Sequence, residues 1–65
     1  MTLDEAKKEV AANMEPGTDA ATIEKIAKLY RLQVSDARAA MTEEEWRARS
    51  AVIKSDLLHE LLLTH

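Results

Sequence analysis

Residues 42–63 read TEEEWRARSAVIKSDLLHELLL, and the fold turns on how this stretch is read. Thr42-Glu43-Glu44-Glu45 is a Thr-x-x-Glu capping box, with three carboxylates set on the positive end of a helix dipole. The helix it opens is predicted to run over 43–62, roughly 20 residues or 30 Å at 1.5 Å per residue. At about 100° per residue, Trp46, Ser50, Ile53, Leu57 and Leu61 form one stripe. Leu58 and Leu62 lie to one side of that stripe, and Val52 and Leu63 lie on its other flank. The last two turns are therefore apolar on nearly every side. Each Leu left in water forgoes about 1.5–3 kcal/mol of burial. Either the rest of the chain wraps this end, or another chain covers it.

Working back toward the N-terminus, Thr2 and Glu5 form a second capping box. Leu3, Ala6, Val10 and Met14 follow at helical spacing, which predicts a first helix over 3–14. Glu15-Pro16-Gly17-Thr18 ends it, because the residue before Pro is driven out of the helical region. Ile23, Ile26, Ala27 and Tyr30 carry the next stripe, and Thr18 or Asp19 is positioned to cap it, giving a second helix over 19–32. The periodicity falters at Leu32-Gln33-Val34. Ser35 then offers a cap for a short third helix over 36–41 that would bury Ala37, Ala40 and Met41. The expected fold is a single all-α domain spanning 1–65, a small bundle of three to four helices with the long C-terminal helix as its spine.

The composition agrees with that class and narrows the function. Among 65 residues there is one Gly, one Pro and no Cys, and the only aromatics are Tyr30 and Trp46. Disulfide frameworks and thiolate metal sites are excluded, and an all-β fold rich in turns is disfavoured. Eleven of the hydrophobic residues are Ala, so the larger apolar side chains suffice for a small core but not for a deep catalytic pocket. The formal charge of −3 gives no global attraction to DNA or an anionic membrane. The acidic ends flank a mildly basic middle, where Lys25, Lys28 and Arg31 outnumber Asp19 and Glu24. The longest apolar run, Leu61–Leu63, is far short of the ~20 residues that span a bilayer. The acidic, amphipathic N-terminus is unlike a secretory signal, and a cytoplasmic location is the expectation.

The stretch Thr22 to Met41, TIEKIAKLYRLQVSDARAAM, resembles the helix-turn-helix of bacterial DNA-binding regulators. Ile26-Ala27 matches the apolar–Ala pair that permits close helix packing, Leu32 the apolar turn residue, and Val34-Ser35 the start of a recognition helix. The resemblance implies a dimeric transcriptional regulator in which Lys28 and Arg31 touch phosphates, and Ser35 and Arg38 face the bases. Arg38 would take guanine bidentately. Overall charge works against this alternative, and Arg31 stands where such motifs commonly carry Gly. Residues 22–36, TIEKIAKLYRLQVSD, also resemble a helix of the small Hha-type modulators of enterobacterial nucleoid proteins. That likeness implies a modulator acting through another protein.

Catalytic and metal-binding constellations do not assemble. His59-Glu60 opens like the zinc-peptidase motif His-Glu-x-x-His, but position 63 is Leu. His65, six residues on, leaves a different helical face. Glu43, Glu44 and Glu45 fan out around a helix and cannot converge on one pocket as an acid–base pair requires. Serines 35, 50 and 55 lack a triad order, and no Gly-rich loop can cradle phosphate. No catalytic residue, cofactor or metal is therefore expected, and the chain reads as a non-enzyme. Trp46 shares the stripe of Ile53 and Leu57, which favours core packing over a binding anchor. The functional expectation is a small intracellular regulatory or inhibitory adaptor, of the scale often encoded by phages and mobile elements, that binds a protein partner. Leu58, Leu62 and Leu63 would supply the buried area and Glu43, Glu44 and Glu45 the orientation, with a homodimer through the C-terminal helix as one form of the association.

Overall fold

The computed structural model describes residues 1–64; His65 lies outside the described residues. The described residues fold into three helices: α1 (Leu3–Ala12), α2 (Ala20–Ala39) and α3 (Glu43–Thr64). Both capping boxes form as the sequence requires. In the first, Thr2 Oγ1 accepts from the Glu5 amide at 3.2 Å, while the Thr2 amide donates to Glu5 Oε1 at 3.1 Å. In the second, Thr42 Oγ1 accepts from the Glu45 amide at 3.2 Å, and the Thr42 amide donates to Glu45 Oε1 at 3.3 Å. The turn between α1 and α2 is equally local in origin. The Thr18 amide donates to the Glu15 carbonyl at 3.3 Å across Pro16 and Gly17. Gly17 takes φ +87°, the left-handed backbone that a type II turn demands after Pro. Thr18 spends its hydroxyl on the Glu15 carbonyl, 2.6 Å away, and Asp19 starts α2 without a side-chain cap bond.

The short helix expected over 36–41 does not exist as a separate element. Its residues complete α2, which is continuous from Ala20 to Ala39. No Gly or Pro interrupts this segment, and the apolar stripe does not stop at Tyr30: Val34 is buried on the same face. Leu32, 59% exposed, is a surface leucine that blurs the pattern without breaking the helix. The turn that the helix-turn-helix resemblance requires at Leu32–Ser35 is therefore helix.

The core consists of Ala6 and Val10 from α1, Ile26, Ala27, Tyr30 and Val34 from α2, and Leu58 and Leu61 from α3. Half of it belongs to α2. Both α1 and α3 pack against α2, whereas α1 and α3 scarcely meet. The middle helix is thus the spine, a role the sequence reading assigns to the last one. The reason is reach: ten residues of α1 span about 15 Å and cannot flank the roughly 33 Å of α3. An open groove remains between α1 and α3 above α2.

Candidate binding surfaces

On α3, one face is fixed by burial. Leu58 and Leu61, three residues apart, are each 7% exposed and pack into the core. Leu57 and Leu62 are partly buried against it, and Trp46 joins them one turn into the helix. Val52 and Leu63 are eleven positions apart, which returns them to within ~20° around the axis. They point away from α2, 64% and 73% exposed.

The leucines named from sequence as one partner surface are thereby separated. Leu58 is a core residue and offers nothing to a partner, Leu62 sits partly buried at the groove, and Leu63 is free. Alternation around a helix that is apolar on all sides cannot say which leucine meets α2; only packing decides it. The acidic trio also divides. Glu45 is committed to the Thr42 cap, whose hydroxyl and amide hold its carboxyl below the usual range. Glu43 lies 3.8 Å from Arg47 in a fully solvated pair that contributes little. Glu44 stays exposed without such a role.

The four residues named for DNA contact do come together, on one stripe of the continuous α2. Lys28 is exposed and pairs with Glu24 at 3.8 Å. Arg31, Ser35 and Arg38 line a cleft of about 200 Å³ with Val34, Trp46 and Lys54. Arg31 is anchored by its Nε, which donates to the Met1 carbonyl at 3.3 Å.

Lys54 was not singled out by the sequence reading. It is partly buried on the side of α3 that faces α1, and it also lines a second, wider cleft of about 470 Å³ with Glu9, Asn13, Tyr30 and His59. A lysine next to Ile53 and spaced three and four residues from Leu57 and Leu58 was the available signal. In the wider cleft Glu9 Oε2 is buried without a hydrogen-bond partner among the described residues. Burial first, then the charge of the nearby Glu9 carboxylate, raises the Tyr30 phenol above its ordinary value. His59 is exposed, and no cluster of three metal-ligating side chains forms among the described residues. Among the described residues, no helix is long and apolar enough to cross a membrane.

Comparison with protein-family models, with curated proteins and with solved structures finds no match to this chain.

Proposed function

We propose that this chain is a non-enzymatic adaptor that works by binding protein through the outer face of α3. One observation carries the reading: Val52 and Leu63 sit on the same side of α3, opposite its core face, and both are mostly in water. Nothing in the packing of the monomer requires a large apolar residue at either position. Covering the two side chains on association would recover burial that both forgo in the monomer.

The partner best suited by symmetry is a second copy. A two-fold axis placed midway between the two residues sets Val52 of each copy against Leu63 of the other, and Asp56 against His59, in an isologous antiparallel pair. The association would be weak. Standard stable interfaces bury about 1,600 Å² in total, and one helix face on a chain exposing 4746 Å² supplies only part of that area. In sedimentation equilibrium the protein is therefore expected to form a concentration-dependent dimer at high micromolar concentration. Val52→Ser together with Leu63→Ser should leave it monomeric with unchanged helicity by circular dichroism. A wild type that stays monomeric into the millimolar range would remove the self-association reading.

A second reading, nucleic-acid binding, is favoured by the alignment of Lys28, Arg31, Ser35 and Arg38 along α2. It would use the flank of one long helix and not a helix-turn-helix. Glu43, Glu44 and Glu45 lie one turn beyond and oppose a long polyanion.

A further inference from the structure

The charge of the chain is −3, yet the cleft between the start of α1, the second half of α2 and α3 is lined by three cations and no carboxylate. The ion pairs of the described residues use Lys7, Lys28 and Arg47. Arg31, Arg38 and Lys54 make none. Glu5 is near enough to feel Lys54, but its carboxylate is already engaged by Thr2, which is the main reason its pKa lies below the ordinary value. Lys54 is partly buried and forms no ion pair among the described residues, although Glu5 is near enough to feel its charge and Glu9 lines the neighbouring cleft with it. Arg31 is held in place through Nε, so its outer guanidinium nitrogens are presented with little further loss of freedom. Trp46 forms a wall and Ser35 adds a hydroxyl at the rim.

We propose that this cleft binds a phosphate monoester, its dianionic group held by Arg31, Arg38 and Lys54 and its attached ring lodged against Trp46. A phosphate monoester carries close to two negative charges near neutral pH and three acceptor oxygens, which suits three cationic side chains better than the single charge of a carboxylate. The concave shape admits a terminal phosphate. The carboxylates of Glu43, Glu44 and Glu45, in the turn that precedes Trp46, discriminate against a continuous phosphate backbone. The site lies away from Val52 and Leu63, so it stands or falls independently of the adaptor reading.

The experiment is a nuclear magnetic resonance titration of the full chain at constant ionic strength, following the Trp46 indole and the Ser35 and Lys54 amides. Adenosine 5′-monophosphate should shift all three saturably, inorganic phosphate should do so more weakly, and adenosine should not. Arg38→Gln and Lys54→Gln, at exposed and partly exposed positions, should each raise Kd about tenfold, the loss expected for a charge-assisted hydrogen bond. Thermal unfolding of both variants should match the wild type, so weakened binding cannot be ascribed to loss of fold. Shifts that grow linearly without saturating, an equal response to acetate, or variants that bind like the wild type would each overturn the proposal. Displacement of the nucleotide by a short DNA duplex at lower concentration would also overturn it and transfer the cleft to the nucleic-acid reading.

Discussion

Leu58 and Leu63 are identical in type, lie on one helix and differ only in what they face. Leu58 is 7% exposed against the core, and Leu63 is 73% exposed. Truncating Leu58 to Ala removes buried methyls and leaves a cavity, which costs about 2–5 kcal/mol. A domain of this size has roughly 3–10 kcal/mol of stability in all, so Leu58→Ala should lower the urea midpoint drastically or unfold the chain. Leu63→Ala should stay within about 0.5 kcal/mol of wild type, as a surface change does. Chemical denaturation followed by circular dichroism measures both. Similar losses for the two variants would contradict the packing of α3 and weaken the case that Leu63 is free for a partner. This distinction was not legible in the sequence. Five leucines in seven positions show that the segment must be covered, but they cannot show which of them meets α2. Lys54 has the same history, since its cleft exists only once α1 and α3 have both docked on α2.

At the scale of the element, legibility depends on how local the signal is. Each Thr-x-x-Glu box closes within four residues, and both helix starts fall where the boxes place them. Glu15-Pro16-Gly17-Thr18 is read just as directly, because proline and a left-handed glycine specify the turn by themselves. The error lay at Ser35, where a residue that favours caps followed a blurred stripe and suggested a boundary. A cap residue is only an option, and without a breaker the helix continues through it. The two cases separate by sign. Thr42→Ala removes a cap hydroxyl that accepts the Glu45 amide and should cost about 1 kcal/mol, a fall of roughly 4–8 °C in Tm for a domain of this size. Ser35→Ala inside a continuous helix replaces a weaker helix former by the best one, and should be neutral or stabilising by a few tenths of a kcal/mol. Thermal melts decide it. A loss for Ser35→Ala comparable to that of Thr42→Ala would restore the break and, with it, the helix-turn-helix geometry.

For the molecule as a whole, the arrangement is two helices laid on a third, and only caps and a small core hold it. That makes it sensitive to acid in a calculable direction. Glu5 and Glu45 both have carboxyls held below their ordinary value, Glu5 chiefly by the Thr2 backbone amide and Glu45 chiefly by the Thr42 hydroxyl. A depressed folded-state pKa means that the unfolded chain takes up protons first as pH falls. The stability these groups contribute is fully present above their unfolded values, near 4.5, and disappears as pH falls through the lower folded values. The urea midpoint should therefore hold roughly level above about pH 5 and fall as pH drops below the ordinary carboxylate value near 4.5. A Glu5→Gln, Glu45→Gln double variant, lacking the two carboxyls whose pKa values are depressed, should start lower at neutral pH and fall less steeply as the solution is acidified. If wild type and double variant lose stability in parallel, the caps are not the origin of the acid sensitivity.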